Sequence, residues 1–131
     1  MKIDHIAIAV DSLDEAVRTY SDMLQVHDIE YERVESEGVS IAILHMENGR
    51  IELMEPMGDS SPIKKFLDKK GPGIHHIALE TQDIDSQVSR MSSSGIRFLG
   101  DVRPGSAGTK VTFIHPKSLH GVLAELCSHP K

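Results

Sequence analysis

Two stretches of the sequence carry the same arrangement of potential ligands. Asp4-His5-Ile6-Ala7-Ile8 near the start is echoed by His75-His76-Ile77-Ala78-Leu79 near the middle. Each is followed, at a similar distance, by an acid between apolar residues: Ile51-Glu52-Leu53 and Ala124-Glu125-Leu126. One imidazole and one carboxylate from each half make four candidate ligands, His5, Glu52, His76 and Glu125. Imidazole suits borderline first-row cations, and carboxylates add hard oxygen donors and negative charge. Two of each would balance a divalent ion and, in six-coordinate geometry, leave two positions for water or substrate. His27, His75, His120 and His129 lack this symmetry and read as structural or solvated. His45 and His115 match one another but fall at hairpin ends, where a turn role is expected.

Strands are needed to hold these residues. Lys2 to Val10 reads as a strand with Ile3, His5, Ala7 and Ala9 on one face and Ile6, Ile8 and Val10 on the other. The bulky face is expected to pack on a helix, and the small residues leave room beside the imidazole. That helix starts at Ser12, with Glu15 completing a capping box and Leu13, Ala16, Val17, Tyr20 and Leu24 at helical spacing. Strands are expected around residues 31–34, 39–45 and 50–54, with Asn48-Gly49 as the hairpin turn. Pro62 opens a short helix carrying Ile63, Phe66 and Leu67, which Gly71-Pro72-Gly73 stops. The second half repeats the order. A strand over 74–80 is followed by a helix capped by Asp83 and carrying Ile84, Val88 and Met91. Further strands are expected around 96–99, 111–115 and 122–127. The expected fold is α+β: two tandem βαβββ modules, about 1–56 and 73–131, with a helical connector at 57–72, forming a curved mixed sheet around a metal cleft in one domain, 1–131.

Composition narrows the function classes. The 131 residues are 39% hydrophobic and 26% charged, within the globular range. A net charge of −6 argues against nucleic acid as a partner. The one cysteine, Cys127, leaves no internal disulfide framework and fits a reducing compartment. No signal peptide and no membrane-spanning apolar run is seen, so a cytoplasmic location and no membrane partner are expected.

The repeated strands resemble the vicinal oxygen chelate superfamily, and nearly the whole chain is similar to its methylmalonyl-CoA epimerases. The resemblance is carried by residues 4–10, by Ile51-Glu52-Leu53-Met54-Glu55-Pro56, by Ser61-Pro62-Ile63 with the helix it opens, and by Gly73 to Ala78. It is carried also by Arg103-Pro104-Gly105-Ser106-Ala107-Gly108, by His115-Pro116-Lys117-Ser118 and by residues 121–126. It implies that His5, Glu52, His76 and Glu125 bind one divalent ion, cobalt ahead of manganese, nickel, iron or zinc. It implies a homodimer acting on a small acyl-CoA, with (R)- and (S)-methylmalonyl-CoA interconverted through a metal-stabilised enolate. Glu125 is then the first base.

The second base departs from the family pattern. Where many members read Pro-Glu-Gln-Gly-Val, this chain reads Glu35-Ser36-Glu37-Gly38-Val39, which puts Ser36 at the base position. Glu37, then Glu52, are considered for the role, and Glu35 stays open. In a regular strand Glu35 and Glu37 would face away, unless a bulge at Gly38 turned one inward. Lys117 and Ser118 are candidate substrate contacts, with Lys64 and Lys65 as further candidates for the coenzyme A rim. The 103–108 loop is either a cover over substrate or plain surface. Glyoxalase I would share the four ligands, and a metal-free binding protein of the same fold is the reading outside enzymes. Ring-cleaving dioxygenases fit less well, since Glu52 would be a fourth ligand.

Overall fold

The computed structural model describes residues 1–130. Its strands are β1 (Lys2–Ala9), β2 (Ile29–Val34), β3 (Val39–Met46), β4 (Gly49–Pro56), β5 (Gly73–Glu80), β6 (Arg103–Pro104), β7 (Lys110–Ile114) and β8 (Ala124–Ser128). Its helices are α1 (Leu13–Leu24), α2 (Pro62–Lys70) and α3 (Ile84–Ser93). The order is βαβββ twice, with α2 between, as the sequence leads one to expect. The chain forms two compact units, one of residues 5–75 and one of residues 1–4 with those from His76 onward.

In the first unit the strand order is β2-β3-β4-β1, with β1 and β4 parallel and the other pairs antiparallel. Strand alternation divides its residues between two clusters. Ile8, Val10, Ile51 and Leu53 pack with Val17, Leu13, Ala16, Tyr20 and Leu24 of α1 and its start, so the bulky face of β1 does meet a helix. Ala7, Ala9, Ile41, Ile43 and Met54 face the other way, and Ile63 and Leu67 of α2 cover them. The small side chains of β1 therefore admit a helix as well as sparing room near His5.

α2 is fixed at its start. Ser61 is the N-cap, its hydroxyl accepting from the Ile63 N–H at 3.2 Å, and Pro62 occupies the first turn. Gly38 lies against it with φ +67°, and a Cβ there would sit 3.3 Å from Ser61 Cβ. Only a glycine takes up that conformation without strain while letting the backbones approach so closely. Ser61 is 4% exposed, so Ser61→Ala loses a cap away from water. We expect a stability loss of about 1 kcal/mol by urea denaturation, with Ser61→Thr or Ser61→Asp recovering more than Ala.

In the second unit the order is β5-β8-β7-β6, again with one parallel pair, β5 with β8. Ile114, Ala124 and Leu126 pack with Ile84 and Met91 of α3. Asp83 caps that helix, accepting from the Ser86 N–H at 3.1 Å. The strand expected at 96–99 is not formed. Phe98 makes a single bridge to Ile114, and the edge strand β6 comes later, at Arg103–Pro104. Phe98 and Ile96 serve as packing residues of the α3 cluster instead. The tight turn of the first hairpin falls one residue earlier than expected, since Gly49 already pairs with Met46 as the first residue of β4.

Candidate metal centre

Each unit builds one histidine–glutamate pair in the same register. In the first, Ala7 of β1 is paired with Glu52 of β4, and His5 stands two residues before that alanine. In the second, Ala78 of β5 is paired with Glu125 of β8, and His76 stands two residues before Ala78. A side chain and its neighbour two positions along share a face, so each imidazole and its acid point to the same side of their sheet. The flanking residues, Ile51 and Leu53 in one unit and Ala124 and Leu126 in the other, face the helices.

The pairs are buried and close. His5 Nδ1 lies 3.3 Å from Glu52 Oε2, and the residues are 6% and 3% exposed. His76 Nε2 lies 3.8 Å from Glu125 Oε2, with side chains 5% and 12% exposed. Two donors held at about 2.1 Å from one ion, at right angles, are about 3 Å apart, so the first pair is close to the spacing of adjacent ligands and the second, at 3.8 Å, is wider. The donor set also fits, since neutral imidazole and ionised carboxylate bind a divalent cation without a redox requirement. Arg50 adds to the first pair. Its Nη2 is 3.4 Å from His5 Nδ1 and 3.6 Å from Glu52 Oε2, where it offsets the negative charge of the buried acid.

Four of the remaining histidines have structural contacts, and His27 and His120 are exposed. His115 Nδ1 accepts from the Lys117 N–H at 3.1 Å and caps the turn Pro116–Leu119, which is the turn role expected of it. His45 Nε2 is 2.5 Å from Glu30 Oε1. His129 Nε2 is 2.6 Å from Asp4 Oδ1 and ties the end of the chain to β1. His75 meets the ring of Phe66 edge-on, with centroids 5.0 Å apart. Burial, helped by the charge of Lys70, lowers its pKa from 6.5 to about 4. The folded protein thus keeps His75 neutral where the unfolded chain protonates it. Stability from this residue is complete above pH 6.5 and declines as pH falls toward 4, by up to about 3 kcal/mol. Urea denaturation of wild type and His75→Leu across that range should show the variant with the flatter pH dependence; parallel curves would remove His75 as the cause.

The acids near Gly38 are not on a regular strand. Glu35–Glu37 form a turn of 3-10 helix that ends at Gly38 in the left-handed conformation. The alternation argument that pointed Glu35 and Glu37 away therefore does not hold here. Glu35 is exposed, 3.9 Å from Arg33. Glu37 is half-buried and Ser36 exposed. Of the candidate substrate contacts, Lys117 is exposed, while the Ser118 hydroxyl accepts from the Arg97 N–H at 3.0 Å and so also supports its own loop. Lys64 bonds Asp68 at 2.8 Å. Sequence reasoning gave no role to Arg50, Phe113 or Arg103, all of which lie beside the pairs or one another. Arg50 was the discoverable one, because it stands on the same strand two residues before Glu52.

Comparison with known proteins places these features in context. Residues 4–113 match the glyoxalase/bleomycin resistance protein/dioxygenase superfamily. The chain is 41% identical over 129 residues to the mitochondrial methylmalonyl-CoA epimerase of Dictyostelium discoideum, covering 95% of this chain and 76% of that protein. It is 38% identical over 128 residues to the ethylmalonyl-CoA/methylmalonyl-CoA epimerase of Cereibacter sphaeroides, covering 95% and 96%. A variant of the Streptomyces coelicolor methylmalonyl-CoA epimerase, solved in complex with 2-nitronate-propionyl-CoA, superposes with a TM-score of 0.94 at 38% identity, covering 98% of this chain and 94% of that one. The fold is therefore the α+β fold of these enzymes, and the chain belongs to the methylmalonyl-CoA epimerase family of the glyoxalase/bleomycin resistance protein/dioxygenase superfamily.

Proposed function

We propose that this protein is a methylmalonyl-CoA epimerase, and that His5, Glu52, His76 and Glu125 together hold one divalent ion, cobalt first among cobalt, manganese, nickel, iron and zinc. The observation that carries the reading is the pair of buried histidine–glutamate contacts set in one register, in a chain alike over its length to epimerases of this acyl-CoA. The ion, when bound, supplies Lewis acidity toward the thioester and carboxylate oxygens flanking the reacting carbon.

The chain's own residues have the proton work. The Glu125 carboxylate takes the α-proton. The C–H electron pair moves into the thioester carbonyl, and the α-carbon becomes planar. A nitronate has that planar shape and that negative charge, which is why a family member binding 2-nitronate-propionyl-CoA supports this step. Protonation from the opposite face by the Glu37 carboxyl re-forms the C–H bond with inverted configuration. The reverse turnover starts from the other epimer with the two acids exchanging roles, and no oxidant or reductant is consumed. A free carboxyl group, with a pKa near 4, is a weak base for such a carbon. Burial of the Glu125 side chain beside His76 removes competing water and lets positioned charges act at short range.

Lys117, whose ammonium is exposed, is proposed to meet the phosphates of coenzyme A, with Ser118 contributing its hydroxyl proton from the same turn. No helix among the described residues is long and apolar enough to cross a membrane. A homodimer in the cytoplasm is part of the proposal, and light scattering of purified protein tests the dimer. The deciding experiment for the activity is exchange of the α-proton of methylmalonyl-CoA in heavy water by metal-loaded protein. No exchange with that substrate, alongside turnover of a glutathione hemithioacetal, would overturn the reading.

A further inference from the structure

We propose that Phe113, held in place by Arg103, is a positioning residue for the His76 imidazole, an inference that rests on the metal reading above. Phe113 of β7 is directly opposite Glu125 of β8, so the two side chains share a face. The His76 ring meets Phe113 edge-on, with centroids 5.1 Å apart and planes at 90°. That arrangement is the favoured one between aromatic rings, and it resists rotation of the imidazole about its own axis. Arg103 of β6 is paired with Val111, two residues before Phe113, and its guanidinium lies over the Phe113 ring, 5.5 Å from the centroid. A cation over the ring face is attracted by the π-electrons and restrains the ring.

The comparison between units shows why such support is needed here. In the first unit, the residue opposite the acid is Ile43, and Arg50 touches both His5 and Glu52. In the second, the position two before the acid is Leu123, so no arginine stands where Arg50 does. Arg103 reaches its histidine instead through an aromatic ring. Both imidazoles are thus braced by an arginine, one by contact and one through Phe113. Groups that orient a ligand without binding the ion commonly change affinity by about 10-fold to 100-fold when removed.

The test is cobalt(II) binding by the purified full chain, followed by visible absorption and by titration. Wild type is expected to take up one equivalent. Phe113→Leu should weaken binding by about 10-fold or more and shift the cobalt absorption bands. Arg103→Met should weaken it in the same direction by a smaller factor, and Arg103→Lys and Phe113→Tyr should recover most of the loss. Arg103→Met alters a partly exposed side chain, so it remains decisive even where Phe113→Leu folds poorly. Wild-type affinity and spectrum in Phe113→Leu would overturn the proposal. A rise in KM for the acyl-CoA in Arg103→Met, with cobalt binding unchanged, would make Arg103 a substrate contact and overturn its part. No cobalt uptake by wild type would instead remove the metal reading on which the proposal stands.

Discussion

Glu125→Gln is expected to lower epimerisation by about 1,000-fold or more, with loss of α-proton exchange from the epimer whose hydrogen faces Glu125. A positioned general base contributes about 100-fold to 10,000-fold, and an amide cannot accept the proton at neutral pH. The same change replaces an anionic ligand with a neutral one, so ion affinity should fall as well. The substitution keeps the shape of the side chain and lies outside the apolar cluster under α3, so the fold should be kept. Exchange in heavy water from each epimer, with melting temperature as a control, checks this. Retention of exchange within 10-fold of wild type for both epimers, with the ion bound, would remove Glu125 as a base.

Glu37→Gln should leave a different signature. Glu37 is proposed to serve only the opposite face, so one epimer should still exchange its α-proton through Glu125 while the other loses exchange. Epimerisation, which needs both faces, should fall by about 100-fold or more. Metal affinity should not change. This one-sided pattern separates a second base from a ligand or a structural residue. Wild-type epimerisation in Glu37→Gln would assign the second proton to another group, and Glu52→Gln would then be the next variant to measure.

The sequence made the repeated pairs legible because strand alternation is local and strict. His5 and Ala7, or Ile51 and Leu53 around Glu52, declare their faces without reference to the rest of the fold. The helix starts were legible for a similar reason, as Ser12, Ser61 and Asp83 all cap through their own side chains. The region around Glu37 was not. Its geometry depends on Gly38 adopting a left-handed conformation against Ser61, a contact between segments over 20 residues apart. Ile96 and Phe98 have the composition of a strand, yet tertiary packing under α3 uses them without forming a ladder. The Arg103–Phe113–His76 series was hidden as well, since it joins β6, β7 and β5, and in the sheet β8 lies between β5 and β7.

The parallel pairing of β1 with β4, and of β5 with β8, has a bearing on how the protein assembles during folding. In each unit the histidine and its acid come from the first and last strands, about 50 residues apart in the chain. A parallel pair cannot be closed by a tight turn, and contacts between distant residues form slowly because the intervening loop must be ordered first. The helix and antiparallel hairpin between them have to be in place before the donors meet. An added divalent ion would therefore find little to bind in a partly folded chain. It should slow unfolding far more than it speeds refolding, acting as a late lock on a finished structure rather than as a nucleus for it.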